Sequence, residues 1–124
     1  MNVKEDRIKN KLFYNGLNAF NDKDYYDAHE YWEDLWSDYK ISDADFVQGM
    51  IQLAVACFHI TNLNKKGALS LFNKCLIKLE KNKDNSRINN LDDIISSTIN
   101  ARDFLDSCSD TKQFNWDIII KIEV

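Results

Sequence analysis

Between positions 46 and 60 the only polar side chains are Gln48, Gln52 and His59. A stretch so apolar on every side is stable in water only when other elements cover it. It predicts a helix over about 43–62 at the centre of the fold, with the rest of the chain packed around it. Gln48 to Gln52 is one helical turn and Gln52 to His59 is two, so the three polar groups share one stripe. An unpaired buried amide costs about 1–3 kcal/mol. The stripe therefore needs polar partners, and a neighbouring antiparallel helix is the place to find them.

The chain has helices to do the covering. It contains no proline and three glycines, which favours long uninterrupted helices over a turn-rich β fold. Ile8, Leu12, Phe13, Gly16, Leu17 and Phe20 recur at three- and four-residue steps, predicting a helix over 5–21. Asn21-Asp22-Lys23-Asp24 breaks it, and Asp22 or Asp24 can cap the next helix. That helix, about 24–39, should bury Tyr25, Ala28, Trp32, Leu35, Trp36 and Tyr39. Ser42-Asp43-Ala44-Asp45 has the form of a capping box, with Asp in place of Glu or Gln. A fourth helix over 65–82 turns Ala68, Leu69, Phe72, Leu76 and Leu79 inward. A polar linker over 81–87 follows. Asn90 caps a fifth helix, 91–107, whose inward residues are Leu91, Ile94, Ile95, Ile99, Phe104 and Leu105; Asp92 and Asp93 suit its first turn. The tail, 114–124, is rich in β-branched residues without a strand partner, and should lie extended on the bundle. The expected fold is an all-α, single-domain bundle of four to five helices over 1–124, with an apolar central helix.

Composition narrows the function classes. At 124 residues and 44% apolar content, the chain can bury a real core. A net charge of −4 argues against a nucleic-acid partner, which needs a basic patch. No apolar run approaches the roughly 20 residues that span a bilayer, so no membrane partner is expected. Met1-Asn2-Val3-Lys4-Glu5-Asp6-Arg7 is charged from the start and lacks an apolar signal segment. Cys57, Cys75 and Cys108 form no close pair, which reads as reduced thiols in a cytoplasmic or stroma-like compartment. Cys57 and Cys75 fall on apolar faces and read as core.

Chemistry concentrates in positions 28–36, Ala-His-Glu-Tyr-Trp-Glu-Asp-Leu-Trp. His29 and Glu33 lie one turn apart on the flank of the apolar face. Trp36 falls near His29, and Trp32 sits beside them. His and Glu at i and i+4 can fill two positions around zinc, manganese or iron. His59 would supply the third ligand, with Gln48 and Gln52 orienting from behind. In a catalytic version, an open position on that ion would activate water. The alternative is a purely structural cluster in which His29 bonds Glu33 and the glutamines. Glu30 and Asp34 read as a solvated acidic face. His29-Glu30 is not a zincin motif, because position 33 is Glu rather than His. No Gly-rich phosphate loop and no Ser-His-Asp or Cys-His set is signalled.

A second pattern competes. Gly16, Ala28 and Trp32 follow the Gly-x11-Ala-x3-aromatic spacing of a tetratricopeptide repeat. Ala56, Ala68 and Phe72 echo it weakly, 40 residues on rather than 34. This supports a helical protein-interaction module without metal, serving a protein partner or a second copy of the chain.

With these residues assembled, the chain resembles the family catalogued as domain of unknown function 309. His29, Glu33 and Trp36 match its His-x-x-x-Glu-x-x-Trp/Tyr signature. Phe20-Asn21, Tyr25, Ala28-His29-Glu30, the block Gln48-Gly49-Met50-Ile51-Gln52-Leu53-Ala54 and Gly67-Ala68 match its flanks, Met50 replacing the usual Leu. The resemblance covers about 10–80. It implies an all-helical bundle and a suggested metal-binding role for the signature, and names no substrate or reaction.

Overall fold

The computed structural model describes residues 3–124; the first two positions of the charged N-terminal stretch lie outside these. Five α-helices follow one another: α1 (Val3–Asn21), α2 (Tyr25–Asp38), α3 (Ala44–Thr61), α4 (Lys65–Lys81) and α5 (Leu91–Ser107). Two short 3₁₀ turns, Thr111–Gln113 and Trp116–Ile118, interrupt the tail, and no strand occurs among the described residues. Each helix packs chiefly on the next in sequence: α1 on α2, α2 on α3, α3 on α4, α4 on α5. As its composition requires, α3 is the middle layer. Phe46, Val47, Met50, Ala54, Ala56 and Cys57 are fully buried. By length and composition alone α3 could also cross a membrane, more than the sequence reading allowed, but over half of it is buried inside the fold, as in a core helix.

The first and third interhelical turns are the same structure repeated 40 residues apart. The amide of Asp24 bonds Ala19 O at 2.8 Å and that of Lys23 bonds Phe20 O at 3.0 Å; the amides of Asn64 and Leu63 bond His59 O and Ile60 O at the same distances. This is the Schellman closure, which satisfies carbonyls left open at a helix end. It places Lys23 (φ 65°) and Leu63 (φ 60°) in the left-handed region. Asp24 and Asn64 then cap α2 and α4, accepting from the amides of Asp27 and Gly67. The weak echo in the sequence is thus a real structural repeat of two helical hairpins.

Each hairpin is locked by the spaced small and aromatic residues. Trp32 is fully buried, stacked on Phe13 and Phe20 with both centroids 6.1 Å away. Its indole N–H donates to Phe13 O at 3.0 Å. Gly16 makes this possible: a Cβ there would lie 2.3 Å from the indole nitrogen. Ala56, Ala68 and Phe72, in the corresponding places of the second hairpin, are fully buried too.

Several caps differ from expectation because their side chains are engaged elsewhere. Asp43, not Ser42, precedes α3 and makes no capping bond. Its carboxylate instead accepts from two guanidinium nitrogens of Arg87, Nε at 2.5 Å and Nη2 at 2.9 Å, and from the side-chain amide of Asn85 at 2.9 Å. Asn90 precedes α5 without capping it. Its amide brackets the tail, donating to Lys121 O and accepting from Glu123 N, each at 2.9 Å. Asn21 does the same at Ile122, at 2.9 and 2.8 Å. The expected extended tail is therefore held by side-chain amides mimicking a strand partner. Trp116 of the tail stacks on Tyr25 at 5.6 Å, and Phe114 and Ile122 are buried.

Candidate functional site

On α2, Tyr25, Ala28, Trp32 and Leu35 form the buried stripe. One residue further on, Tyr26, His29, Glu33 and Trp36 form a second stripe, rotated by about 100°. It runs along the seam with α3. Tyr26 meets Phe58 there with ring centroids 5.4 Å apart, which sets the start of α2 against the end of α3 and makes the two helices antiparallel, as expected. On α3, Gln48, Gln52 and His59 are half-buried and share a stripe of their own.

The expected internal pairings do not form. His29 is half-buried, but its Nδ1 faces Tyr26 O at 3.2 Å rather than Glu33, and its ring stands edge-on to Tyr26 at 5.5 Å. A carbonyl can only accept, so Nδ1 carries the proton and Nε2 is left with its lone pair. His59 has the opposite tautomer. Asn64 Oδ1 accepts from Gly67 N, which turns its amide nitrogen toward His59 Nδ1 at 3.3 Å. Nδ1 of His59 is thus an occupied acceptor, and its Nε2 carries the proton. Among the described residues, no three His, Cys, Asp or Glu side chains form a group that could hold a metal ion. The set His29, Glu33 and His59 proposed from the sequence is therefore not assembled as a metal centre.

The structural cluster fails as well. Within the described chain, Glu33 and Gln48 make no hydrogen bond or ion pair, and Gln52 Oε1 is buried without a partner. Trp32, expected beside the site, is a core pillar. Trp36, expected to be buried, is 38% exposed, and Tyr26 is 49% exposed. Tyr26 was not among the sequence candidates, although its place one turn before His29 was visible on the helical wheel. Its hydroxyl bonds Glu30, which raises its pKa above the ordinary tyrosine value. Glu30 itself is half-buried, while Asp34 is exposed.

Residues 13–71 match the family model described as Domain of unknown function (DUF309). The match bears out the resemblance read from the sequence. The DUF309 segment holds the second half of α1, all of α2 and α3 and the first part of α4, and so includes every residue of the seam. No curated protein and no solved structure matches the chain.

Proposed function

We propose that this chain is a helical protein-interaction module whose recognition surface is the α2–α3 seam, and that it works without a resident metal. The observation that supports this is the set of half-buried signature side chains that the fold leaves unused. Gln52 Oε1 is buried and bears a desolvation cost with no hydrogen bond in return, and the half-buried Glu33 and Gln48 make no hydrogen bond within the described chain. A partner's polar groups would remove that cost. The seam suits a polypeptide. Gln48 and Gln52 carry the paired donor and acceptor of an amide, as a peptide backbone does. Glu33 and the acidic neighbours Glu30 and Asp34 favour a cationic side chain. Trp36 at one end and Tyr26 at the other offer π faces to such a cation. The partner that fits is an extended segment bearing Arg or Lys. The stacked two-hairpin architecture is one that elsewhere serves for binding other chains.

The test uses the emission of Trp36 in the full chain against an array of Arg- and Lys-bearing peptides. Saturable binding to a subset, weakened about tenfold by Glu33→Gln and by Trp36→Ala, is the expected result. Binding that ignores both substitutions, or no binding by any cationic peptide, overturns the reading. Self-association abolished by the same two variants would replace the peptide with a second copy of the chain.

A further inference from the structure

At the end of the bundle where the two repeated turns lie side by side, the tail closes over a cleft of about 390 Å³. That volume falls within the range that holds small organic ligands. Its inner wall is Tyr25 stacked on Trp116, with Ile60 and Leu63 beside them. Lys23, Lys112 and Thr111 line the same cleft. Neither ammonium takes part in an ion pair or hydrogen bond within the described chain, and the Thr111 hydroxyl also has no partner. Two free cations lining one cleft are notable in a protein of net charge −4.

A second observation is independent of the lysines. Tyr25 is 96% buried, being only 4% exposed, and its phenol lines this cleft. Its hydroxyl makes no hydrogen bond to any group of the described chain. Burial, and then the neighbouring Cys57, hold the Tyr25 pKa well above the ordinary phenol value. The hydroxyl is therefore a donor at every physiological pH. The hydroxyl is not cut off from solvent, so a ligand in the cleft can reach it and accept from it.

We infer that this cleft binds a small amphipathic anion: a carboxylate or phosphate held by Lys23, Lys112, Thr111 and the Tyr25 hydroxyl, with a compact apolar body against Trp116, Ile60 and Leu63. The arrangement gives each part of such a ligand a counterpart. Two ammonium groups and two hydroxyls meet the anionic head with charge-assisted bonds. The apolar wall takes the part that a free inorganic anion lacks. The turn geometry explains why the groups are there. Position 23 and position 63 are left-handed sites where glycine is the easy choice. Lys and Leu occupy them instead, and both side chains line the cleft.

Calorimetric titration of the full chain with phenyl phosphate and with benzoate tests this, with inorganic phosphate and benzyl alcohol as the head alone and the neutral body alone. At least one aromatic anion should bind saturably with a Kd below about 10 mM, and about tenfold tighter than either fragment. Which of the two binds better identifies the head. Lys23→Gln with Lys112→Gln should weaken binding about tenfold or more. Tyr25→Phe should weaken it several-fold while leaving the melting temperature in place, because the hydroxyl holds nothing in the fold. The inference is overturned by any one of three results: no saturable binding of either anion, equal binding of benzyl alcohol, or binding indifferent to the lysine pair and to Tyr25→Phe. If the double variant unfolds, Tyr25→Phe and the fragment comparison still decide.

Discussion

Gly16→Ala gives the sharpest test of the packing. In an exposed helix interior this change stabilises by about 1 kcal/mol, through helix propensity. Here the new Cβ would stand 2.3 Å from Trp32 Nε1 and 2.5 Å from Cδ1, so the indole must move. The ring cannot move freely, because Phe13 and Phe20 stack on it and it is fully buried. Overpacking of this kind costs about 1–3 kcal/mol. Displacing the indole also breaks the 3.0 Å bond to Phe13 O, which leaves buried polar groups unpaired at about 1–3 kcal/mol. After the propensity gain, the net destabilisation is about 1–5 kcal/mol, centred near 3. Denaturant melts followed by circular dichroism would read it as a lower midpoint at unchanged slope. The companion is Trp32→Phe, which recreates the alanine–phenylalanine pair of the second hairpin, Ala56 with Phe72. In the Gly16→Ala background it should recover at least about 1 kcal/mol, a coupling typical of residues in contact. A Gly16→Ala protein as stable as the parent would refute the claim that the glycine exists to admit the indole. A double variant showing no coupling would refute the equivalence of the two hairpins.

Glu33→Gln should change stability by less than about 0.5 kcal/mol, because the carboxylate has no partner among the described residues; a loss of 2 kcal/mol or so in a denaturant melt would restore the internal cluster. Zinc, manganese or ferrous ion added to tag-free protein should leave the melting temperature unchanged, whereas a rise abolished by Glu33→Gln would revive a metal site by mass action. Asp43→Asn should destabilise by about 1–3 kcal/mol, since Arg87 loses a bidentate carboxylate. Burial alone would push the Asp43 pKa up, but the bonds from Arg87 and Asn85 outweigh it and hold it below the ordinary value. A lowered folded-state pKa contributes stability that is complete above the unfolded carboxylate pKa, near 4, and is lost as pH falls through the folded value. The gap between wild type and Asp43→Asn should therefore be constant at neutral pH and shrink below about pH 4; a gap that widens on acidification would contradict the assignment.

The helices were legible because each has a period and a punctuation mark. The apolar run of α3, the cap at Asp24 and the polar linker before α5 each act locally, so the sequence alone exposes them. Long-range competition was not legible. Asp43 and Asn90 look like capping residues, and nothing within a few positions of them reveals that Arg87 and the tail claim their side chains. The seam was half legible: the short loop gave the antiparallel pairing of α2 and α3. It could not give the rotamers that turn His29 toward Tyr26 O and His59 toward Asn64. The cleft at the turns was missed altogether, although one signal was present. The 40-residue offset, carried from Gly16 and Ala56 through to Lys23 and Leu63, aligns two bulky residues at positions that ordinarily take glycine.

The offset between the two stripes of α2 separates what the fold consumes from what it leaves. Tyr25, Ala28, Trp32 and Leu35 are buried in the core, and Trp32 spends even its indole N–H on Phe13. Had the His-x-x-x-Glu-x-x-Trp signature been a folding device, it would sit on that stripe or bond to it. It sits one residue later instead. There His29 keeps an outward lone pair, Glu33 keeps its whole carboxylate, and Trp36 keeps more than a third of its surface in solvent. Groups that cost desolvation and return no internal bond weaken a fold slightly, so their placement calls for a benefit outside it. The same reasoning applies at the other end of the bundle. The Tyr25 ring serves the core while its hydroxyl bonds no group among the described residues, so one residue divides between the two roles along its own length.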